Sequence, residues 1–408
     1  MKSEDLECCT ICCVSHQNRY NFNVIHLSTS HSGGAGISAR RLNSELNRVG
    51  VNSLFVSLSQ KTYDPLDFEI GINRNFVTRI KSFLANFLNK RFFYISFVSV
   101  VSIRSLNLKA IDLFRKETSI VHIPNWYNFV DYEVLRKLLS EGCNVIITLH
   151  DERTFSGACH YALECDGFVT GCNECPLVPS MLQKKVSKNS AVLKELARSF
   201  PKQITFIAPS KWIENRARSS SVLSDARIHQ ISNVIPNHVG FPETRSTRVS
   251  PEKKVIGIAS VDPYLLIKGG EILLALEKSL LASHCIFLYL RDFGDSYHNF
   301  WSSIDFLFVP SLIDNSPNVI TEAKQHGVRV IANNVGGIPE MLSPDLDLIL
   351  DLEKLTVTEI AATIIDYAID DASDSEISER MYSVGHESES ALNSHINLYQ
   401  SFRTSDKE

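Results

Sequence analysis

IDFLFVPSLIDNSPNVITEAKQHGVRVIANNVGGIPE, from Ile304 to Glu340, predicts how the second half of the chain folds. Its first part, Phe306 to Val309, is the short apolar run that is typical of a strand buried in a parallel sheet. Asp314 to Pro317 then offers residues that favour the start of a helix, with Asp, Asn or Ser as its cap and Pro in its first turn, and a second apolar run begins at Val328. The stretch therefore predicts a strand, a helix and a second strand, as in parallel α/β sheets.

Two carboxylates flank the predicted helix start. Asp314 lies in the loop before the helix, and Glu322 lies eight positions later, within it. A helix N-terminus after a parallel strand offers N–H groups and partial positive charge, which suit a diphosphate. Gly336 and Gly337 leave room for a ligand close to the backbone. Because carboxylates accept hydrogen bonds from hydroxyl groups, the pattern favours a site for a diphosphate and a sugar.

These residues resemble the donor site of the retaining glycosyltransferases of family 4, also called group 1 glycosyltransferases. Asp314 and Glu322 stand at the acidic positions of the E-x7-E motif, with Asp in place of the usual first Glu. The segments PSLIDNSPNVITEA, GVRVIA and VGGIPE are also similar to that family, and the resemblance covers residues 22–400. It implies the GT-B fold, an α/β architecture of two Rossmann-like domains that face each other across a cleft.

Length and composition are those of a soluble globular protein of two domains. The chain has 408 residues, of which 44% are hydrophobic and 21% are charged. Its formal net charge of −5 argues against a nucleic-acid-binding protein. The sequence contains no apolar run long enough to span a membrane and no pattern of a secretory signal. We therefore expect a cytoplasmic protein whose ten cysteines are thiols or metal ligands rather than disulfides.

We predict four segments. Residues 1–20, with Cys8, Cys9, Cys12 and Cys13, read as a disordered or non-native leader, and a metal or lipidation site is the alternative. Residues 21–200 form an acceptor-side Rossmann-like domain, and residues 201–384 form the nucleotide-sugar-binding domain. A predicted helix ends at Pro201, and the run from Ile204 to Ala208 is predicted as the first strand of the second domain. Residues 385–408 include a helix that, by the resemblance, crosses back onto the first domain.

A glycine-rich segment follows the first predicted strand. Ser32 to Gly36 precedes a helix predicted from Ile37 to Val49, as in the first unit of a doubly wound sheet. The segment is not G-x-G-x-x-G, which argues against a nicotinamide cofactor. The resemblance assigns Gly33 and Gly34 to the donor site, and a tight turn between strand and helix is the alternative.

His150 and Asp151 follow the strand predicted from Asn144 to Leu149, at the end of the strand where open α/β sheets bind ligands. A structural histidine is the alternative. The segment TLHD also resembles the family segment whose histidine faces the donor sugar, so the resemblance assigns His150 to the active site.

A cysteine-rich insert spans residues 156–176. Four cysteines in the pattern C-x5-C-x6-C-x2-C are candidate ligands of a structural Zn²⁺, and reduced thiols in an ordered loop are the alternative: Cys159, Cys165, Cys172 and Cys175. A similar insert occurs in a subset of bacterial family-4 enzymes for surface polysaccharides, and its position suggests that it borders the acceptor pocket.

Lys268, directly before Gly269 at a predicted helix start, is placed as a point charge for phosphate. The family pattern has an Arg five residues earlier, where this chain has Pro263. Arg291 is the candidate substitute for that missing diphosphate cation. The residues assigned to donor binding are Gly33, Gly34, Lys268, Asn315, Ser316, Asn318 and Glu322.

Between Leu281 and Ser311 we count one strand where the family has two with a helix between, so the second domain is expected to be short by about one βα unit.

Residues 74–104 combine basic with apolar and aromatic side chains, and the wider stretch from Ile70 to Ile111 contains no acidic residue. Such a stretch predicts peripheral contact with an anionic membrane at its inner face, and an ordinary solvated helix is the alternative.

The resemblance implies a retaining hexosyltransferase that moves a sugar from a nucleotide-diphosphate-sugar to a glycan or lipid-linked acceptor in cell-surface polysaccharide biosynthesis. The residues assigned to catalysis are His150, Asp314 and Glu322, and no metal cofactor is required for the chemistry. One alternative is a catalytically impaired nucleotide-sugar or glycan-binding subunit that acts with a partner glycosyltransferase. A second is a zinc-bearing adaptor that docks on membranes through residues 74–104.

Overall fold

The computed structural model describes residues 20, 22–58, 69–71, 80, 83, 106, 120–236, 253–279, 281–290, 296–369 and 374–404. The predicted leader and the basic stretch 74–104 therefore lie outside the described residues, apart from residues 20, 80 and 83, and so does Arg291. The described part of the chain contains no helix that could cross a bilayer.

The first compact unit is built on a parallel sheet whose strands are mostly apolar and buried, as expected when helices cover both faces. Its strands are β1 (Asn23–Ser28), β2 (Asn52–Ser57), β3 (Glu69–Gly71), β4 (Ile120–Asn125), β5 (Asn144–Thr148), β6 (Ile204–Ala208) and β7 (Ile228–Gln230). They lie in the order β3-β2-β1-β4-β5-β6-β7, so the order reverses between β1 and β4.

The helices described in this unit are α1 (Gly33–Arg48), α2 (Tyr132–Ser140), α3 (Arg153–Ser156), α4 (Gly167–Thr170), α5 (Ser180–Ser199) and α6 (Lys211–Ser219). Side chains cap two of them: Asp131 accepts the Val134 N–H of α2, and Ser210 accepts the Ile213 N–H of α6. Helix α1 begins four residues earlier than predicted. Its early start depends on Gly36, where a Cβ atom would collide with the carbonyl oxygen of Ser30.

The second compact unit has a five-stranded parallel sheet in the residues that the structure describes. Its strands are β8 (Lys254–Ala259), β9 (Cys285–Leu290), β10 (Phe306–Val309), β11 (Arg329–Asn333) and β12 (Leu348–Leu350), in the order β12-β11-β10-β8-β9. Alternate residues of β10 enter two different apolar clusters: Phe306 and Phe308 pack in one, and Leu307 and Val309 in the other. The sheet is therefore buried on both faces, and both units confirm the predicted class of two Rossmann-like parallel sheets.

The helices of this unit are α7 (Gly270–Leu276), α8 (Leu281–His284), α9 (Ser296–Ser303), α10 (Asn318–Gln325) and α11 (Val357–Ile369). Two strands, β9 and β10, lie between Leu281 and Ser311 with α9 between them, so the predicted count of one strand was wrong. The described sheet still has two strands fewer than that of the first unit.

The predicted domain boundary near residue 200 was also wrong. Strand β6, which we took as the start of the second domain, pairs with β5 in the first sheet, with Val145 opposite Ile204. The compact units are Met1–Val234 with Ala391–Glu408, and Ile235–Ser390. A helix that ends at a proline before a strand looks the same in sequence whether the strand extends one sheet or begins another.

The last helix, α12 (Asp374–Thr404), belongs to both units, because the division between them falls at Ser390. It begins well before the predicted start near Gly385. Its final turns supply Leu392, Ile396, Tyr399 and Phe402 to the apolar core of the first unit, which also contains Phe22 and Val24 of the first strand region. The C-terminal segment is thereby an integral part of the first unit's core.

Candidate functional site

The loops that follow β8 and β10 meet at the carboxyl edge of the second sheet. The two strands pair directly, although they are not consecutive in the chain, so the strand order reverses between them. Beyond the strands, the Leu312 N–H donates to the carbonyl oxygen of Ile267 at 2.9 Å and joins the two loops. Open α/β sheets bind their ligands at such a reversal.

Lys268 and Asp314 form an ion pair across these loops. The Lys268 Nζ atom lies 2.6 Å from Asp314 Oδ2, and the Asn315 N–H donates to the other carboxylate oxygen at 3.0 Å. The lysine side chain is 38% exposed and the aspartate side chain 11%. An ion pair with that much solvent contact contributes only about 0–1 kcal/mol, so an incoming anion can displace it at small cost.

Two glycines allow the loops to approach one another this closely. Gly269 has a φ of +75° and Gly336 a φ of +60°, a region that favours glycine. A Cβ atom on Gly269 would overlap the Pro310 carbonyl oxygen, and one on Gly336 would overlap the Asp314 carbonyl oxygen. The same Asp314 oxygen accepts the Gly337 N–H at 3.0 Å, so the segment after β11 fixes the backbone of the acidic residue.

Helix α10 begins at Asn318, close to the predicted position. Pro317 precedes it at the capping position, and no side chain at that position caps the helix, so the predicted Asp, Asn or Ser cap was wrong. Ser316 instead directs its hydroxyl toward the Met341 sulfur at 3.8 Å. A helix N-terminus without a side-chain cap can present its first N–H groups to an anionic ligand.

Glu322 lies on the second turn of α10 and is only 2% exposed. Its neighbours Ile320 and Ala323 are fully buried in an apolar cluster. Burying a carboxylate is unfavourable unless polar partners surround it, so a glutamate in this position is a candidate for ligand binding.

In the first unit, His150 follows β5 as predicted and is partly buried. Burial lowers the pKa of His150 to about 4, although Asp151 opposes the shift, so the imidazole is neutral at pH 7. Asp151 itself pairs with His160, with 2.6 Å between carboxylate oxygen and Nδ1. Burial raises the pKa of Asp151, but the His160 pairing, the Arg153 N–H and the Arg153 charge together lower it overall.

Gly33 and Gly34 lie in the first turn of α1 and are exposed. A Cβ atom on either would meet no other atom within 4 Å, so the space beside them is open. Lys268, Asp314, Asn315, Ser316, Asn318 and Glu322 belong to the second unit, whereas Gly33, Gly34 and His150 belong to the first.

The cysteine-rich insert is anchored by a buried ion pair. The fully buried Glu152 carboxylate pairs with Arg216 of α6 and accepts the Ala162 N–H. Burial raises the pKa of Glu152, although the Arg216 charge opposes the shift. The Arg216 guanidinium also stacks 4.6 Å from the centre of the Phe168 ring, so one arginine contacts both Glu152, just before the insert, and Phe168 within it.

Within the insert, Cys159, Cys172 and Cys175 are buried, Cys165 is partly buried, and all four are free thiols. Interaction with Cys175 and burial raise the pKa of Cys159, and burial raises the pKa of Cys172. In the described part of the chain, no three His, Cys, Asp or Glu side chains are arranged so that they could hold a metal ion. The present arrangement of the thiols therefore does not fit the predicted zinc site.

A cluster of buried histidines was not anticipated from the sequence. His26 of β1 and His122 of β4 are register partners, with ring centres 5.0 Å apart, and His395 of α12 lies 6.0 Å from His122. Burial and the neighbouring histidines lower the pKa of His26 and His395 to about 3, and that of His122 well below 6.5. The sequence signal that could have revealed this cluster was a histidine within each of two apolar strand runs.

The cluster borders a cavity of about 20 Å³, which has room for about one water molecule. Its polar lining comes from Ser38, His122, Thr148, His150, Asn233 and His395. His122 bonds to Thr148 at 2.7 Å and to the Tyr399 hydroxyl at 2.9 Å, which fixes its ring. Neither ring nitrogen of His26 has a hydrogen-bond partner among the described residues, although both atoms are buried.

No protein-family model matches the chain. Its sequence is 24% identical over 290 residues to the putative colanic acid biosynthesis glycosyl transferase WcaC of Escherichia coli K12, a match that covers 63% of this chain and 68% of that protein.

Solved structures extend the likeness over nearly the whole chain. Sucrose-phosphate synthase from Thermosynechococcus elongatus superposes with a TM-score of 0.62 at 17% identity, covering 94% of this chain and all of that one. HepE from Anabaena in complex with UDP-glucose gives 0.52 at 13% identity, with 95% and 99% covered. WaaG, a glycosyltransferase involved in lipopolysaccharide biosynthesis, gives 0.51 at 12% identity, with 90% and 95% covered. The chain thus has the GT-B fold and is similar, as its sequence predicted, to group 1 glycosyltransferases.

Proposed function

We propose that the protein is a retaining glycosyltransferase that takes its sugar from a nucleotide-diphosphate-sugar. The acceptor is a glycan or a lipid-linked sugar, and the product is part of a cell-surface polysaccharide. The similarity to a colanic acid glycosyl transferase and to a structure that holds UDP-glucose supports this proposal. The observation that carries it is the Lys268–Asp314 pair at the strand-order reversal of the second sheet.

In this proposal, the leaving diphosphate binds between Lys268 and the start of α10. The ammonium group and the helix N–H groups near Asn315, Ser316 and Asn318 stabilise the charge that develops as the glycosidic bond breaks. Because these groups belong to the protein, the reaction should need no divalent metal ion. Activity in the presence of EDTA tests that part of the proposal.

Two carboxylates have different tasks here. Glu322 binds the ribose hydroxyls, and Asp314 orients the donor sugar once the diphosphate has replaced it as the partner of Lys268. Asp314 is one methylene shorter than the glutamate usual at this position, and its ion pair with Lys268 is the contact that this shorter side chain makes in the unliganded protein. His150 of the first unit is the remaining candidate, with a neutral imidazole suited to hydrogen bonding with a sugar hydroxyl.

A thermal-shift panel of UDP-, GDP-, ADP- and CDP-sugars tests the proposal. A ligand at 100 times its Kd should add about 2.7 kcal/mol to the free energy of unfolding. Lys268→Ala should abolish the shift. Lys354→Ala is the matched control, since Lys354 also pairs with a carboxylate, at 2.9 Å, elsewhere in the same unit.

Transfer assays with the sugar that shifts the melting curve then separate an enzyme from a binding subunit. An enzyme turns over the donor, and NMR of the product shows the anomeric configuration of the donor retained. Donor binding without transfer or hydrolysis, with every acceptor tried, would instead identify a subunit that acts with a partner glycosyltransferase. This alternative is tested because the chain has Pro263 at the position of the family's second cation.

A further inference from the structure

We propose that one buried water molecule joins His150 to His395 of α12 and holds the His150 ring in the orientation in which it binds the donor sugar. The inference rests on the proposed function, because it explains how a residue of that site is positioned. His150 contacts the substrate in that proposal, whereas His395 acts only through His150 and is therefore a positioning residue.

The cavity beside the histidine cluster has the properties of a water site. It measures about 20 Å³, and a buried water molecule needs about 10–15 Å³ and about two to four polar partners. Both His150 and His395 line it, together with Thr148 and Asn233. All of its lining residues belong to the first compact unit, so the site is complete within that unit.

His395 brings a buried polar atom to this cavity. The residue is 4% exposed, and its Nδ1 atom is buried without a hydrogen-bond partner among the described residues. The rings of His122 and Tyr399 each lie 6.0 Å from the His395 ring, centre to centre, and hold it within the core. Buried polar atoms in proteins are nearly always hydrogen-bonded, to ordered water where the protein itself supplies no partner. A water molecule in the cavity is therefore the expected partner of Nδ1.

Thr148 provides a further partner for the water. The two ring nitrogens of His122 bond to the Tyr399 hydroxyl at 2.9 Å and to the Thr148 hydroxyl at 2.7 Å, so neither nitrogen is left for the water. A hydroxyl group has one donor and two acceptor positions, and the bond to His122 uses one of those on Thr148. Thr148 stands two residues before His150, at the end of β5.

A bond from this water to His150 would decide what the imidazole offers to a ligand. Burial lowers the pKa of His150 to about 4, so at pH 7 one ring nitrogen is a donor and the other an acceptor. The partner of one nitrogen determines which of the two carries the proton and how the ring is turned. The water thereby fixes the hydrogen bond that His150 makes with a sugar hydroxyl.

A crystal structure of the full chain without ligand, at a resolution that places ordered waters, tests the first part of the proposal. We expect one water within hydrogen-bonding distance of both His395 Nδ1 and a ring nitrogen of His150. A direct bond between the two histidines would overturn the proposal, and so would a cavity without an ordered water or a water that reaches only one of the two rings.

Calorimetric titrations test the second part. The probes are the nucleotide-sugar of the UDP-, GDP-, ADP- and CDP-sugar panel that shifts the melting curve, and the nucleoside diphosphate of the same base. His395→Leu should weaken binding of the nucleotide-sugar about fivefold, the contribution of one neutral hydrogen bond. The Kd of the nucleoside diphosphate should stay unchanged, because that probe has no sugar for His150 to bind. A variant that is merely less well folded would lose affinity for both probes.

Two further variants control the measurement. His395→Gln keeps a hydrogen-bonding group and should restore most of the affinity for the nucleotide-sugar. His386→Leu makes the same substitution at an exposed position of the same helix and should bind both probes as the wild type does. If His395→Leu fails to fold, Thr148→Val gives the same test, since it removes another partner of the water.

His150→Ala separates failure of this inference from failure of the proposed function. If His150→Ala binds the nucleotide-sugar more weakly but His395→Leu does not, His395 does not position His150 and the inference is wrong. If His150→Ala binds as the wild type does, or if no nucleotide-sugar binds, the role of His150 in the proposed function is wrong instead. The crystal structure then decides by itself whether the water joins the two histidines.

Discussion

The ammonium of Lys268 lies 2.6 Å from the carboxylate of Asp314, so the cation assigned to the donor diphosphate is neutralised by an acidic residue of the same site. Binding of a diphosphate must exchange one anionic partner of this lysine for another. The exchange is feasible because the pair is partly solvated and weak, whereas a diphosphate brings more than one negative charge. The ion pair thereby holds Lys268 against the loop that follows β10.

Asp314→Asn should strengthen the binding of a free nucleoside diphosphate. Removing the carboxylate charge releases Lys268, and the gain should be about 1 kcal/mol or roughly fivefold in Kd, the upper range for a solvated pair. The rate of sugar transfer should fall in the same variant, because the donor sugar loses the carboxylate as a hydrogen-bond acceptor. Calorimetric titration with UDP, GDP, ADP and CDP measures the first effect, with Asp351→Asn as the control because Asp351 pairs with Lys354. Weaker binding in Asp314→Asn would show that the carboxylate does not compete with the nucleotide.

Glu322→Gln should weaken nucleotide binding by about tenfold to a hundredfold. A hydrogen bond to a charged group contributes about 1.5–3 kcal/mol, and the amide keeps the shape of the side chain but loses its charge. Because the side chain is buried and its volume is preserved, the melting temperature without ligand should change little. Gln325→Glu, which adds a charge elsewhere on the same helix, is the comparison variant. It should bind the nucleotide as the wild type does, provided that it folds. Unchanged affinity in Glu322→Gln would remove this residue from the site.

Stability should fall as the pH decreases below about 6.5, because the three buried histidines and the partly buried His150 resist protonation. Burial lowers the pKa of His26 and His395 to about 3 and that of His150 to about 4, and His122 shifts in the same direction. Between these values and 6.5, the unfolded chain binds protons that the folded chain does not, so the free energy of unfolding decreases toward acid. Each histidine adds about 1.4 kcal/mol per pH unit in that window.

His26→Leu tests this linkage most cleanly, since neither nitrogen of His26 has a hydrogen-bond partner among the described residues. Urea titrations between roughly pH 4.5 and pH 7 give the slope of the unfolding free energy against pH. In the variant, that slope should decrease by the amount that corresponds to about one proton bound on unfolding. A slope in His26→Leu equal to that of the wild type would mean that His26 titrates normally in the folded protein.

Gly269→Ala and Gly336→Ala should each destabilise the second unit by about 1–3 kcal/mol or more. Both residues have a positive φ, and an added methyl group would overlap a backbone oxygen that cannot rotate away. Gly34→Ala, where a Cβ atom meets nothing, should be neutral or stabilise the protein. Urea denaturation measures all three variants. Equal stability of Gly336→Ala and the wild type would contradict the close approach of Gly336 to the Asp314 carbonyl oxygen.

The sequence was most informative where the chemistry is local. The strand–helix–strand unit from Phe306 to Asn333 was predicted closely, because a buried parallel strand is an apolar run and a helix start has a distinctive composition. Lys268 and Asp314, 46 positions apart, were assigned to one site through the resemblance, and the ion pair joins them. Periodicity carries no information on such a pairing.

Other features depend on contacts that sequence patterns do not encode. The boundary near residue 200 failed because β6 joins the first sheet, a choice made by tertiary packing. The buried histidines escaped notice because His26, His122 and His395 come from three distant elements and meet only in the folded core. The cysteine spacing suggested a cage of four, whereas no three His, Cys, Asp or Glu side chains of the described residues are arranged to hold a metal ion.

A crystal structure of the protein with its nucleotide-diphosphate-sugar tests the proposed donor site most directly. We expect the Lys268 ammonium to leave Asp314 and to lie within hydrogen-bonding distance of a diphosphate oxygen, with Glu322 on the ribose hydroxyls. A complex in which Lys268 still pairs with Asp314 and the diphosphate binds elsewhere would contradict the proposed site.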